Sequence, residues 1–448
     1  MSNSDGTVVR GVLWSVGTYA LSIMIRFGSS VILSRLLTPE LLGIWLIIHT
    51  VRHGIELSSD LGFGQNIVVN KAGATPEFFN TVWVLQIFRG LIVGAGLFVC
   101  AAPIAGLYGV PTAAFQISGA IALVSGLAST SIFLVHRKMQ LAKLNLFDLA
   151  QEGAGAIVVI AAALVSPTIE SLLMAALGTQ LIRTLSSYFL TNDGNRLRFN
   201  RRYALEILTF GRWIVLSSIL SFLCANFDRL YIGMVAPFAV LGVYGIARSL
   251  ADVPGVLAAR VGYSVVFPTT SQASNLARPA LRAQLSAIRF KLLLGAAAGV
   301  AFAISISDLA VTFIYDGRYH EAGWMLQLLL FGVWLAVLCS INEYALLGFG
   351  KPSYSVMGNA VKLAFYLIVL PQAYQKMGIL GAIFAIVLSE VGRYIVICIG
   401  QWREQFSFLK QDAAATLIFL ALIAAIAWGR SVAGFGSILR AVPIDHIG

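Results

Sequence analysis

The feature that most restricts this chain is the recurrence of apolar blocks of about 18 to 25 residues from one end to the other. A helix rises 1.5 Å per residue, so about 20 apolar residues match the hydrocarbon thickness of a bilayer. Such windows lie near 11–35, 40–58, 80–103, 112–134, 147–165, 170–190, 207–233, 239–262, 292–314, 324–347, 355–372, 378–400 and 413–429, which makes 13 candidate spans. Charged residues are 11% of the 448, with a mean hydropathy of +0.85, whereas soluble domains carry about 25% charged residues. A soluble enzyme is excluded, and an all-α polytopic membrane protein is predicted. No connection exceeds about 30 residues, so the chemistry has to arise within the helices.

Orientation follows from Lys and Arg in short loops, which resist translocation. With a cytoplasmic N-terminus, Arg10 and the loops around 71, 137–143, 196–202, 278–291, 351 and 403–410 place 16 Lys and Arg inside, whereas the opposite connections hold only Arg318 and Lys376. The net charge of +11 then reflects basic cytoplasmic loops facing phosphate-bearing lipids. No basic run interleaved with aromatics points to nucleic acid. The first apolar block continues past Ile25 without an A-x-A site, so the first span is expected to be retained, not cleaved as a signal peptide. Cys100, Cys224, Cys339 and Cys398 lie in apolar blocks without CxxC or Cys/His spacing, which argues against disulfides and zinc. No cofactor is expected, beyond a coupling H⁺ or Na⁺.

Segment 207–262 repeats 8–63 at an offset of 199 residues: Trp14 falls on Trp213, Ser22 on Ser221, Leu42 on Leu241, Gly43 on Gly242 and Trp45 on Tyr244. With the basic stretch Arg196 to Arg202 between the sixth and seventh spans, this predicts two six-helix bundles in a parallel pseudo-two-fold repeat, plus a C-terminal helix. The expected organisation is an N-terminal lobe over 1–190, a basic cytoplasmic linker over 191–206, a C-terminal lobe over 207–400, and an extra span and tail over 401–448. A substrate path between the halves is expected.

A charge at the bilayer centre costs about 2.5–3.5 kcal/mol on insertion scales, so each one needs a partner, water or an interface. His49, Arg52, His53, Glu56 and Asp60 fall along one face of the second span. At the equivalent place in the eighth span, Arg248 and Asp252 match His49 and His53, and Arg260 continues the face. The first span adds Ser15, Ser22, Arg26 and Ser29, the third Arg89, and the seventh Asp228 and Arg229. Further candidates are Asp308, Glu343, Lys362, Glu390 and Arg393. On one reading the first, second, seventh and eighth spans surround a wet cavity whose arginines grip phosphate, which suits the planar guanidinium fork. On the other, Arg52 pairs with Glu56 and Arg248 with Asp252 as structural contacts one turn apart. Arg89, Asp228 and Arg229 can also be span-end residues that snorkel. Glu56, Asp252, His53 and Asp228 are candidates for ion coupling.

Trp14 and Trp213 are expected in an interfacial belt. Trp45, Tyr244, Trp334 and Tyr344 suit either core packing or stacking on sugar. Residues 274–291, with Leu276, Leu281, Leu285 and Ile288 at near-helical spacing among basic residues, fit either an amphipathic helix on anionic lipid or a plain linker.

Five stretches carry a family resemblance: LSRLLTPELLGIW (33–45), DLGFGQNIV (60–68), LCANFDRLYIG (223–233), GVYGIARSLADVPG (242–255) and YDGRYHEAGWMLQLLL (315–330). Together they resemble the polysaccharide transporters that flip lipid-linked oligosaccharides, within the multidrug/oligosaccharidyl-lipid/polysaccharide exporter superfamily. The resemblance implies two six-helix lobes, alternating access, and transfer of an undecaprenyl-pyrophosphate-linked sugar repeat to the periplasmic leaflet of the bacterial inner membrane. It also implies Arg26, Arg52 and Arg248 at the pyrophosphate; Arg89 and Arg229 are further candidate substrate contacts on their place among the intramembrane charges alone. The implied partners are the polyprenyl-pyrophosphate-linked oligosaccharide, the bilayer, and a polysaccharide polymerase with its chain-length machinery. Members often have 12 or 14 spans, and residues 430–448, with Arg430, Arg440, Asp445 and His446, make a poor fourteenth.

Two other classes compete. A cation-coupled drug exporter of the same fold would be expected to line its site with carboxylates, whereas these candidates lean toward arginine. A glycan polymerase or ligase needs a sizeable outer loop with acid–base groups. The longest one here, about 315–324, holds only Asp316, Arg318, His320 and Glu321.

Overall fold

The computed structural model describes residues 2–191, 194–272 and 278–434. All regular structure among them is helical, and the chain divides into two compact units, Met1–Phe222 and Leu223–Gly448.

The first unit contains α1 (Ser2–Leu36), α2 (Pro39–Ser58), the short α3 (Phe63–Val69), α4 (Pro76–Val99), α5 (Ala101–Tyr108), α6 (Thr112–Gly126), α7 (Ser131–Arg137), α8 (Leu141–Val165) and α9 (Ile169–Ser187). Helix α10 (Arg201–Val235) leads into the second unit. Two starts share one device, Thr-Pro-Glu. Thr38 accepts from the Leu41 amide at 3.3 Å and Thr75 from the Phe78 amide at 3.4 Å. In each, the proline follows where its missing N–H costs nothing. Helices α4 and α6 touch backbone to backbone: a Cβ on Gly90 would lie 2.7 Å from the Gly126 Cα, and one on Gly94 2.9 Å from the Gly119 carbonyl. Small residues allow such contact where lipid gives helices no hydrophobic reason to associate. An apolar cluster of Phe63, Ile67, Phe78, Phe79, Val82 and Leu134 fastens α3, α4 and α7 together.

The second unit contains α11 (Phe238–Val261), which continues through a π-turn (Gly262–Val266) into α12 (Phe267–Gln272). It also contains α13 (Arg278–Ile314), α14 (Ala322–Gly348), α15 (Ser353–Arg403) and α16 (Leu409–Val432). Helix α14 is the buried centre, flanked by α11, α13 and α15, while α13 also packs on α16. Helix α15 breaks at Met377 and Gly378, where Gly378 has φ 57° and ψ −141°. That conformation belongs essentially to glycine, and it separates the windows expected at 355–372 and 378–400.

Among the described residues, eight helices are long and apolar enough to cross a membrane, or nine if the 54° bent pair α6 and α7 forms one span. The broken α15 covers two windows, α1 covers the first, and α2 and α9 cover two more but fall short of that apolarity. Helices thus lie over all 13 windows. The starts of α10 and α11 fall 199 residues after those of α1 and α2, and α1 and α10 are both 35 residues long.

The surface-helix reading of 274–291 needs correction. From Arg278 onward the segment is the opening of the 37-residue α13, and Leu281 and Leu285 are fully buried. Those two leucines of its apolar face pack inside the protein, while Ile288 is 42% exposed. Arg289, expected to be a loop cation, is 1% exposed. Residues 274–277, with Leu276, and 435–448, with Arg440, Asp445 and His446, lie outside the described residues, as do the side chains of Trp14 and Ser15.

Candidate functional site

The sequence-nominated charges gather into clusters within each unit. In the first unit, Arg26 of α1 reaches Glu152 of α8, with Nε 3.1 Å from Oε1 and Nη2 also in contact, and Ser22 donates to the other carboxylate oxygen. Next to it, Arg183 of α9 holds Asp148 at 2.9 Å. In α2, Arg52 Nη1 lies 3.1 Å from Glu56 Oε1. His49 stacks on His53, with ring centroids 6.2 Å apart, and Phe222 meets His53 edge-on. Arg89 of α4 donates to Ser59 Oγ at 3.0 Å and to the Glu56 carbonyl at 2.5 Å, closing the end of α2. Asp60 accepts from the Gly62 amide at 3.1 Å, which organises the turn into α3.

In the second unit the centre is Asp228 of α10, fully buried. It accepts from the Tyr244 hydroxyl at 2.5 Å and the Arg229 amide at 2.9 Å. Arg248 of α11 lies between two carboxylates, its Nε 3.4 Å from both Asp228 and Asp252. Those are charge contacts without hydrogen-bond geometry, and that Nε is a buried donor without a partner. Arg229 donates to Asn226 at 3.0 Å and Asp252 at 3.3 Å. Close by, Lys362 donates to Glu390 at 2.5 Å and Arg393 to Glu343 at 2.6 Å, and Ser355 also donates to Glu343. Two arginines face two aspartates in the first group, and Lys362 with Arg393 face two glutamates in the second. Both groups are formally neutral, as burial in a low-dielectric span requires.

Arg26, Arg52, Arg89, Arg229, Arg248 and Arg393 therefore each have a carboxylate or carbonyl neighbour in their own unit. The intrahelical pairs Arg52–Glu56 and Arg248–Asp252 exist, and Arg26 pairs across helices with a residue not nominated. Glu152, Asp148, Arg183, Asp412 and Arg430 were missed. Asp148 and Glu152 stand one turn apart at the start of a window, an i, i+4 acid pair that could have been found by seeking partners for arginines. Arg430 pairs with Asp308 at 2.7 Å. Arg289 donates to Asn342 at 2.7 Å and Gln411 at 3.0 Å, contacts Asp412, and lies over the Phe408 ring. Tyr244 and Trp334 are core residues: the first holds Asp228, and the second stacks on Phe419 with centroids 4.7 Å apart and donates to Thr416. Trp45 packs on the Leu37 cluster and Tyr344 meets Tyr263 edge-on. Trp213 is 65% exposed. Among the described residues no group of three His, Cys, Asp or Glu could hold a metal ion.

Long apolar helices arranged in two units, with ionic clusters inside them, define a multi-pass membrane protein. Its fold is that of the multidrug/oligosaccharidyl-lipid/polysaccharide exporter superfamily. It aligns with the lipid II flippase MurJ in its inward closed conformation at a TM-score of 0.73, covering 92% of each chain at 13% identity. It also aligns with a mutant form of the Vibrio cholerae MATE transporter VcmN at 0.55, covering 90% of this chain and 98% of that one at 12% identity. The chain belongs to the polysaccharide biosynthesis protein family, whose model matches residues 32–323. It is 26% identical over 269 residues to the succinoglycan biosynthesis transport protein ExoT of Rhizobium meliloti (strain 1021), 59% of this chain and 54% of that protein. The chain thus spans about half the length of that relative. Over 84% of this chain and 79% of the relative, it is 22% identical to the teichuronic acid biosynthesis protein TuaB of Bacillus subtilis (strain 168).

Proposed function

We propose that the chain is a flippase that carries an undecaprenyl-pyrophosphate-linked oligosaccharide repeat from the cytoplasmic to the periplasmic leaflet of a bacterial inner membrane. It would do so by alternating access, with its N-terminus cytoplasmic, in the service of surface polysaccharide assembly. The family, the named roles of its relatives and the MurJ-like fold support this reading.

The observation that carries the site is Arg248. Its guanidinium makes no hydrogen bond among the described residues, although two carboxylates lie at 3.4 Å. Asp228 keeps the Tyr244 hydroxyl and the Arg229 amide if Arg248 turns away, and Asp252 keeps the Arg229 side chain. Arg248 can therefore transfer its planar fork to a diphosphate without stranding a buried charge. Arg26, Arg52 and Arg89 are proposed as further diphosphate contacts, each exchanging a present partner for phosphate oxygens, and Arg229 as one that exchanges Asn226 while keeping Asp252. For ion coupling, the candidates are His53 and the carboxylates Glu56, Asp228 and Asp252, of which Asp252 is favoured among the carboxylates because its side chain is 41% exposed against 23% for Glu56 and 1% for Asp228.

The double variant Arg52→Gln/Arg248→Gln should abolish surface polysaccharide in a complemented deletion strain while the protein still reaches the membrane. In proteoliposomes it should fail to flip a fluorescent lipid-linked oligosaccharide. Normal polymer and normal flipping from that variant would refute the arginine assignment.

A further inference from the structure

The first unit has a cavity of about 400 Å³ that the transport reading does not use. Its lining includes Pro76, Phe79, Asn80, Lys138, Arg196 and Arg198. Three of these are cations, and no carboxylate lines it among the described residues. The first turn of α4 forms part of its wall, adding the positive end of a helix.

The segment 194–200 that supplies two of the arginines is not helical, yet it is fastened. The Arg196 amide donates to Asn80 Oδ1 at 2.8 Å and the Asn200 amide to Thr81 Oγ1 at 3.1 Å. Asn195 donates to Thr130 at 2.9 Å and accepts from Ser129 at 2.5 Å. The sequence Arg-Leu-Arg-Phe alternates within this strap. Arg196 and Arg198 line the cavity, whereas Leu197 and Phe199 do not and are 78% and 57% exposed. Two more large apolar side chains at this end, Met139 and Phe189, are 73% and 88% exposed. Water would disfavour that much exposed apolar surface around a basic hollow. The boundary between acyl chains and headgroups satisfies both.

We propose that this cavity is a binding site for the phosphate headgroup of an anionic phospholipid, with Lys138, Arg196 and Arg198 around the phosphate and Leu197 and Phe199 dipping toward the acyl region. On the proposed topology the lipid belongs to the cytoplasmic leaflet. Basic hollows at the cytoplasmic ends of spans recognise lipid headgroups in this way. The strap precedes α10, so an occupied site ties the entry of that helix to the membrane surface. The inference requires a membrane protein but not a flippase, and it stands if the transport assignment fails.

The test uses full-length protein in phosphatidylcholine nanodiscs doped with phosphatidylglycerol, with retained lipid counted by native mass spectrometry. Each cation removed should weaken phosphatidylglycerol binding about fivefold, and Lys138→Gln/Arg196→Gln/Arg198→Gln on the order of a hundredfold. Unchanged retention in the triple variant overturns the proposal. A competition arm separates the sources of phosphate: phosphatidylglycerol should displace undecaprenyl diphosphate and inorganic phosphate from the cavity. Failure to displace either one overturns the lipid assignment. Should the triple variant not reach the membrane, unmodified protein decides the matter. A phosphatidylglycerol with a photoreactive headgroup should label residues 194–200, and labelling confined to other segments overturns the proposal.

Discussion

Two arginines of the second unit, the largely enclosed Arg248 and the fully buried Arg289, show opposite ways of keeping a permanent charge inside a membrane helix. Arg289 is locked: two amide oxygens and the Asp412 carboxylate take both of its terminal nitrogens, leaving Nε without a partner among the described residues, and the Phe408 ring covers its face at 4.6 Å. Asp412 in turn accepts from Tyr394 and Asn342, so the cluster is closed. Arg248 is poised: its carboxylates are near, but each is held by something else. Pairing alone therefore does not separate structural from functional arginines. What separates them is whether a second cation stays in the group when the arginine leaves: Arg229 remains paired with Asp252 beside Asp228, whereas the ion pair of Asp412 among the described residues is with Arg289 itself.

The largest effect should come from breaking the locked cluster. Arg289→Met leaves Asp412, whose side chain is 1% exposed, without its counter-charge, and removing one partner of a buried pair costs about 3–5 kcal/mol. The variant should lose most of its thermal stability in detergent and accumulate poorly. Arg289→Met/Asp412→Leu should recover much of the loss, because replacing both charges by apolar groups is often neutral. A single variant as stable as the parent would erase the distinction between locked and poised arginines.

Arg248→Gln should show the reverse pattern. Flipping should fall by the equivalent of about 1.5–3 kcal/mol, the range for a charged hydrogen bond, while the melting temperature moves less than in Arg289→Met. Arg248→Lys sharpens the comparison. It keeps the charge but loses the planar fork, so it should restore stability without restoring the rate. If stability and flipping fall together in Arg248→Gln, the arginine is a structural one like Arg289.

A smaller effect is expected at the break in α15, which separates the segment carrying Lys362 from the one carrying Glu390 and Tyr394. Gly378→Ala places a Cβ where φ is 57° and ψ −141°, a strain of about 1–3 kcal/mol. It should weaken the Lys362–Glu390 pair across the break more than the Arg289 cluster. Hydrogen exchange of the two segments would show which one loosens.

The architecture was legible because lipid demands long apolar helices, and Arg52, Glu56, Arg248 and Asp252 stood out because charges are costly there. The partners were harder to see. Glu152 faces Arg26 from 126 residues away, and no spacing rule connects α1 to α8. Arg289 looked like a loop residue because the apolar window begins after it, whereas α13 starts at Arg278 and buries its first turns against neighbours. The strap at 194–200 read as a charged linker, and only its hydrogen bonds to Asn80 and Thr81 reveal that its arginines are aimed.

The smallest stability effect, and the most discriminating sign, belongs to Arg26. Its side chain is 68% exposed and Glu152 24%, and exposed ion pairs contribute about 0–1 kcal/mol, so Arg26→Gln should barely shift the melting temperature. Glu152→Gln should be equally mild. Transport separates the two. If Arg26 takes phosphate from its substrate, Arg26→Gln should lower flipping, whereas Glu152→Gln removes the competitor for that guanidinium and should leave flipping unchanged or raise it. A purely structural pair predicts that both substitutions act alike, since either one removes the same contact. Equal losses would therefore place Arg26 with the locked arginines and leave Arg248 as the leading candidate for the diphosphate.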